Sequence, residues 1–235
     1  MGEPKVVVVA SGKGGSGKSA LTRNLIPAAL ASGLRVMGID IDPQETLARF
    51  AHTRAKKDDV AACNIYIARL SDYDGRTLGG KKYPLIKDAL IAVRDCDLII
   101  VDTPTALENS PEGVKELILA SDLVLIPSRP TVDDVGSVKT LMAATRALGK
   151  NAAFVLNQVD ARVKEVEMAR QALVKHGHLL ASSIPASIEI QRAMSAGMGI
   201  VETKGRGAGE VEAVWTEVAR LLGIQITIMG EVVNG

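Results

Sequence analysis

The chain has 235 residues, a formal net charge of +1, and a composition in which 47% of residues are hydrophobic but only 3% are aromatic. This length suits a single α/β domain over residues 1–235, with a core built from Val, Ile, Leu and Ala. The small net charge excludes a protein that coats nucleic acid through bulk charge, although a local basic patch is compatible with it.

The cysteines and the chain ends give further expectations. Cys63 and Cys96 are far apart and lack metal-ligand spacing, so we expect two reduced thiols in the core. Met1–Pro4 leads straight into a predicted strand without a basic and then apolar leader. Because the apolar runs are also shorter than the roughly 20 residues of a membrane span, a cytoplasmic protein is expected.

Apolar, β-branched runs alternate with amphipathic segments along the chain. The runs predict strands at 5–10, 34–39, 64–68, 97–102, 122–127, 152–157 and 179–184. The amphipathic segments predict helices at 18–32, 83–94, 111–120, 133–148, 163–176, 187–196 and 208–222. Most of the strands are continuously apolar, which is typical of burial on both faces. The order predicts a doubly wound, mostly parallel α/β sheet with helices on both faces.

A glycine-rich segment, "GKGGSGKS" over Gly12–Ser19, matches G-x-x-x-x-G-K-[ST] between the first strand and the first helix. Its glycines let backbone N–H groups surround phosphate oxygens at the positive end of the following helix. Lys18 is expected to reach the β- and γ-phosphates, and the Ser19 hydroxyl to bind Mg²⁺. The predicted nucleotide-binding residues of this loop are Gly12, Lys13, Gly14, Gly15, Ser16, Gly17, Lys18, Ser19 and Ala20.

Acidic residues follow two other predicted strands. Asp40 and Asp42 lie in "GIDIDPQ", and Asp102 ends "LIIVD". Ligands of open parallel sheets bind at the carboxyl ends of strands, where a carboxylate can hold Mg²⁺ directly or through water. Taken singly, either cluster could instead be a helix cap or a turn.

The segments "KGGSGKS", "DIDPQ", "IIVDTP" and "NQVD", in this order, resemble the ParA/MinD family of deviant Walker A ATPases, and the likeness runs from about Lys5 to Leu222. The resemblance implies that Lys13 is the signature lysine of this family. That lysine crosses a dimer interface and touches the phosphates of the ATP bound to the partner. A homodimer formed with ATP is therefore expected.

The resemblance also implies roles for residues at the strand ends. Asp42 would position the attacking water, so that the expected catalytic residues are Lys13, Lys18 and Asp42. Asp40 would support the Mg²⁺ shell and Asp102 would be the Walker B acid, with Ser19 as the third residue of the metal site. Asn157 would hydrogen-bond adenine, and the loop of Pro185 would border the base.

The function implied is that of a ParA-like ATPase with ATP and Mg²⁺ as cofactors. Its ATP dimer would bind DNA without sequence preference, through the candidates Arg192, Lys204 and Arg206, and would associate with the nucleoid. A ParB-like or other adaptor would stimulate hydrolysis, and the cargo would be a plasmid, a chromosome or a protein complex. Since the loop begins near residue 11, no N-terminal helix-turn-helix is expected.

Two other interpretations stay open. A MinD-like membrane-cycling ATPase needs a terminal amphipathic helix with basic residues, and "IQITIMGEVVNG" contains none, so a membrane partner is not expected. A P-loop enzyme of metal-cluster assembly or phosphoryl transfer is the second alternative. It is weakened by the absence of a paired-cysteine motif and of an acceptor-binding insert.

Overall fold

A seven-stranded parallel sheet forms the centre of the fold. The computed structural model describes residues 3–69, 72, 77–78, 81–82, 86–93, 95–104, 111–228 and 231–232. The sheet strands are β1 (Lys5–Val9), β2 (Val36–Asp40), β3 (Asn64–Ile67), β6 (Leu98–Asp102), β7 (Leu123–Ser128), β8 (Ala152–Leu156) and β9 (His178–Leu179). Their order is β3-β2-β6-β1-β7-β8-β9, so the strand order switches direction beside β1. Short antiparallel pairs join β4 (Thr77–Leu78) to β5 (Lys81–Lys82), and β10 (Thr227–Ile228) to β11 (Glu231–Val232).

Helices cover both faces of the sheet. They are α1 (Lys18–Ala31), α2 (Thr46–Arg54), α3 (Ile86–Ala92), α4 (Pro111–Ala120), α5 (Val132–Ala147), α6 (Glu165–Val174), α7 (Ile188–Ser195), α8 (Ile200–Thr203) and α9 (Ala208–Leu222). One hydrophobic cluster packs α1, α2, α7, α8 and α9 against one face of the sheet. A second cluster packs α3, α4, α5 and α6 against the other face. Alternate valines of β1 enter the two clusters, which explains its continuous apolar run. The predicted doubly wound fold is confirmed.

The predicted strand over 179–184 is wrong beyond its first residue. His178 and Leu179 are in register with β8, and Leu180 N makes a last hydrogen bond to Phe154 O at 3.0 Å. The amides of Ala181 and Ser182 donate instead to the Glu217 carboxylate of α9, at 2.7 and 2.8 Å. The chain therefore leaves the ladder, and Ile184 N returns to Leu156 O at 2.9 Å.

Other elements add to the predictions or only partly overlap them. The helices α2 and α8 were not predicted, and neither were the two short antiparallel pairs. The helix expected over 83–94 is α3, and residues 83–85 and 94 of that range lie outside the described residues. Residues 229–230 and 233–235 of the C-terminal sequence also lie outside them. Cys96 is buried, Cys63 is half-buried, and neither forms a disulfide. Within the described part of the chain, no helix combines the length and apolarity that crossing a membrane requires.

Candidate nucleotide site

The loop between β1 and α1 closes tightly at Gly17. This residue has φ +91°, and a Cβ at its position would lie 2.0 Å from Asn157 Nδ2, so a side chain does not fit there. The following helix α1 begins at Lys18 without a side-chain cap and without an acidic residue in its first turn. Its first N–H groups therefore suit an anion, as the glycine-rich pattern predicts.

Lys18 lies inside the protein, with 5% of its surface exposed. Burial lowers its pKa, and the nearby carboxylates of Asp102 and Asp42 act in the opposite direction. The structure thus brings the loop lysine together with acids from two different strand ends, which is the arrangement expected from the sequence.

Asp102 is a buried acid at the carboxyl edge of the sheet, where it pairs with Val9 of β1 and Asp40 of β2 in the strand register. Burial raises its pKa to about 7, although the neighbouring Ser19 side chain and Lys18 lower it. The Ser19 hydroxyl does not reach the carboxylate with full hydrogen-bond geometry: among the described residues, neither Asp102 oxygen has a hydrogen-bond partner. An unsatisfied buried carboxylate beside a serine fits a Mg²⁺ site, since Mg²⁺ prefers such oxygen ligands.

Asp40 organises the segment that carries Asp42. Its Oδ1 accepts a hydrogen bond from Asp42 N at 3.1 Å, and its Oδ2 accepts from Leu47 N at 2.9 Å and Ala48 N at 3.0 Å. Burial raises the pKa of Asp40 even though these amides lower it. Asp40 therefore holds the start of α2, and its expected support of a Mg²⁺ shell stays a prediction.

Lys13 contacts helix α5 of its own chain. Its Nζ lies 3.1 Å from Asp134 Oδ1 and 3.9 Å from Asp133 Oδ2, and 38% of its side chain is exposed. The two lysines of one loop therefore occupy different environments: Lys18 is buried near the strand-end acids, and Lys13 is partly exposed beside α5.

Arg129 and Asp134 form a pair at this loop that the sequence did not predict. Arg129 follows β7, and its guanidinium lies 3.6 Å from the point where a Cβ on Gly15 would stand. Its Nε donates to Asp134 Oδ2 at 2.7 Å. Burial alone would raise the pKa of Asp134, but its contacts with Arg129, Lys13 and Thr131 lower it overall. The available signal was a basic residue directly after a strand, at the same sheet edge as the loop.

Asn157 supports the loop from the end of β8. Its Nδ2 donates to the carbonyl oxygens of Ser16 and Gly17, both at 3.2 Å, and its Oδ1 accepts from Gln158 N at 2.9 Å. Pro185 forms an isolated parallel bridge with Val159. The expected contacts of Asn157 and Pro185 with adenine stay predictions.

The three expected DNA-binding cations are exposed on α7 and on the turn after α8. Lys204 has φ +50°, and Arg206 is fixed through its backbone. Arg206 N donates to Glu189 Oε2 at 2.8 Å, and its carbonyl accepts from the Ser187 hydroxyl at 3.1 Å. The main chain is thus held in place while the side chains of Arg192, Lys204 and Arg206 face solvent.

A parallel sheet with a glycine-rich loop after its first strand, and a buried loop lysine beside strand-end acids, defines a P-loop nucleotide-binding α/β protein. The model of the CobQ/CobB/MinD/ParA nucleotide-binding domain matches residues 7–200. The chain belongs to this family, which confirms the resemblance seen in its motifs.

Comparisons with individual proteins agree with this assignment. The chain is 30% identical over 222 residues to the maintenance of carboxysome distribution protein A of Gloeobacter kilaueensis, covering 93% of this chain and 94% of that protein. It shares its fold with a Cyanothece McdA variant in complex with ATP, at a TM-score of 0.73 and 18% identity, over 97% of this chain and 100% of the other. It also resembles the septum site-determining protein MinD of Pyrococcus horikoshii complexed with Mg-ADP, at a TM-score of 0.69 and 18% identity, over 94% and 98% of the two chains.

Proposed function

We propose that the chain is a ParA-like ATPase that dimerises when ATP binds, associates with DNA of arbitrary sequence, and uses adaptor-stimulated hydrolysis to position a cargo. The observation that carries this proposal is the difference between the two loop lysines. Lys18 is 5% exposed and lies near Asp102, whereas the Lys13 side chain is 38% exposed and contacts α5. This difference supports a role for Lys18 at the phosphates of its own chain and a role for the more exposed Lys13 at a second chain.

The residues of the site suit Mg-dependent hydrolysis. Ser19 and Asp102 would hold Mg²⁺, which neutralises charge on the β- and γ-phosphate oxygens when bound. Lys18 and the loop amides would bind and orient the phosphates. Asp42 Oδ1 accepts from Gln44 N at 2.9 Å, which fixes this carboxylate near Lys18. We infer that Asp42 orients the attacking water from this position.

A protein assembly is the cargo favoured by the relatives, since the 30% identical protein is named for carboxysome distribution. A plasmid or chromosome is the other cargo class for the same ATPase cycle. In either case the chain would act in the cytoplasm, on the nucleoid when ATP is bound, together with a ParB-like or other adaptor. The net charge of +1 means that DNA affinity must come from a local patch, which a two-fold dimer would present twice.

The test is DNA binding with and without a non-hydrolysable ATP analogue, over a range of salt concentrations. Each phosphate contact adds roughly 0.9 to the slope of log affinity against log salt, so six contacts in a dimer give about −5 and three in a monomer about half of that. The double change Lys204→Ala and Arg206→Ala should reduce both the affinity and the slope. The double change Lys164→Ala and Lys175→Ala, at exposed positions flanking α6, removes the same charge and is the matched control.

Binding that depends on the analogue and weakens steeply with salt would support the proposal. Salt-insensitive binding, or no binding with the analogue at low salt, would contradict it and favour the membrane-cycling alternative or a protein surface.

A further inference from the structure

Two cations at the phosphate loop share one buried carboxylate. Asp134 is 1% exposed, while Lys13 and Arg129 are 38% and 35% exposed. Arg129 Nε lies 2.7 Å from Oδ2, and Lys13 Nζ lies 3.1 Å from Oδ1. A carboxylate that is buried to this degree is costly unless a cation compensates it. If either Lys13 or Arg129 moves away, the other one must therefore compensate the charge of Asp134.

The two contacts are unequal. Arg129 donates a hydrogen bond to Oδ2, whereas Oδ1 has no partner with hydrogen-bond geometry among the described residues, so the Lys13 contact is only a close ion pair. The backbone of Asp134 is also fixed, because its N–H donates to Thr131 Oγ1 at 3.2 Å at the start of α5. Arg129 is thus the shorter and better-aligned partner of this carboxylate, and Lys13 is the more weakly held one.

We propose that Arg129 is a positioning residue, which keeps Asp134 charge-compensated when Lys13 leaves it for the phosphates of the ATP on a second chain. The inference rests on the proposed function, since it requires a dimer formed with ATP. Without Arg129, the departure of Lys13 would leave a buried carboxylate with no cation among its described contacts. The positive charge of Arg129 also repels Lys13, so the net attraction that holds Lys13 beside Asp134 is smaller.

Two substitutions separate charge from shape at position 129. Arg129→Gln retains a hydrogen-bond donor for Asp134 but loses the charge, whereas Arg129→Lys retains the charge. We expect Arg129→Gln to weaken the ATP dimer and Arg129→Lys to restore most of it. Dimerisation is compared at saturating ATP, because Arg129 lies beside the phosphate loop and its substitution can also change ATP affinity. Both cations are more than a third exposed, so solvent screens the contact and we expect a cost of only about threefold per Lys13. A two-fold dimer contains two such contacts, which multiply to roughly tenfold in the dissociation constant.

Asp134→Asn supplies the background that tests the mechanism. This change removes the carboxylate that holds Lys13, so the ATP dimer should be at least as tight as that of the parent chain. Adding Arg129→Gln to it should then have no further effect on dimerisation. The readouts are the dimer dissociation constant by analytical ultracentrifugation with ATP and Mg²⁺, and the thermal unfolding midpoint of every variant.

A parent dimer that is insensitive to Arg129→Gln would overturn this inference alone. The inference would also be overturned if Arg129→Lys dimerises as poorly as Arg129→Gln, or if Arg129→Gln weakens the dimer equally in the Asp134→Asn background. A parent chain that stays monomeric with ATP would overturn the proposed function together with this inference.

Discussion

At the scale of single residues, the charge state of Asp102 depends on its burial. Its pKa is raised from 3.8 to about 7, with desolvation as the largest cause. The folded, ligand-free protein therefore binds a proton here over a range of pH where the unfolded chain does not. Under linkage, such a group makes the folded state less stable as pH rises from about 4 to about 7.

The change Asp102→Asn should remove this pH-dependent loss, because an amide stays neutral at every pH in the range. The stability of the ligand-free parent should then fall relative to the variant between pH 5 and pH 8, as measured by urea unfolding. Asp58→Asn, at an exposed position, is the control and should track the parent. Equal pH profiles for the parent and Asp102→Asn would contradict this account of Asp102.

Asp42 is expected to act in hydrolysis and not in nucleotide binding. Asp42→Ala should retain the phosphate and Mg²⁺ contacts, so that ATP binding and the dimer persist while hydrolysis falls by roughly 100-fold. Hydrolysis assays and light scattering of the same sample check the two halves of this expectation. Asp59→Ala, at an exposed position, is the control. A monomer that still hydrolyses ATP would refute the assignment of Asp42.

At the scale of elements, a buried ion pair joins α2 to α8. Arg54, which is 1% exposed, ends α2 and donates to the two oxygens of Glu202 at 2.7 and 2.5 Å. It also donates to the carbonyl oxygens of Ala61 at 2.7 Å and Gly197 at 3.3 Å. Gly197 has φ +74°, and a Cβ there would lie 2.6 Å from Arg54 N, so the two segments are in close backbone contact.

The change Glu202→Ala should destabilise the fold by about 3–5 kcal/mol, because it leaves the buried guanidinium of Arg54 without its counter-ion. Glu212→Ala, on an exposed position of α9, should change the free energy of unfolding by less than about 0.5 kcal/mol. Urea unfolding of both variants at neutral pH makes the comparison. Similar stabilities for the two variants would show that the Arg54–Glu202 pair contributes little.

The same elements show which parts of the fold follow from local sequence. The strands β1, β6 and β7 were predictable because both of their faces are buried, so their apolar runs are continuous. Helix α2 was not predictable from its own residues, because it begins after Glu45 at φ +51° without a cap from that side chain. Its first amides donate instead to the carboxylate of Asp40, which lies before the helix at the end of β2. The strand expected over 179–184 failed because Glu217, from a distant helix, binds its amides.

In the nucleotide site too, residues with a local sequence pattern were predictable, and residues that meet only through packing were not. Lys13, Lys18 and Ser19 were found because a phosphate loop needs contiguous residues at fixed spacing. Arg129 and Asp134 have no such local pattern, since their relation to Lys13 arises only when β7 and α5 pack beside the loop.

At the scale of the whole molecule, two helices that begin near the nucleotide site reach the segment that carries the basic residues. Asn24 of α1 accepts a hydrogen bond from Ile200 N at 3.2 Å, and Arg54 of α2 binds Glu202. Helix α8 is therefore connected to both helices just before Lys204. These contacts connect two helices that begin near the nucleotide site to the segment that carries Lys204 and Arg206.

The proposed function requires the two lysines of one loop to serve two different chains. The change Lys18→Ala should lose most of the ATP affinity, because it removes a charge that the β- and γ-phosphates need. The change Lys13→Ala should leave the ATP affinity of the monomer near that of the parent and abolish the ATP-induced dimer, since each half of a two-fold interface needs this residue.

The measurement is the molar mass of the parent and of both variants by light scattering with saturating ATP and Mg²⁺, beside the ATP dissociation constant of each. We expect a dimeric parent, a Lys13→Ala variant that binds ATP as a monomer, and a Lys18→Ala variant that does not bind ATP. Equal loss of ATP affinity in both lysine variants, or a Lys13→Ala variant that still dimerises with ATP, would contradict the claim.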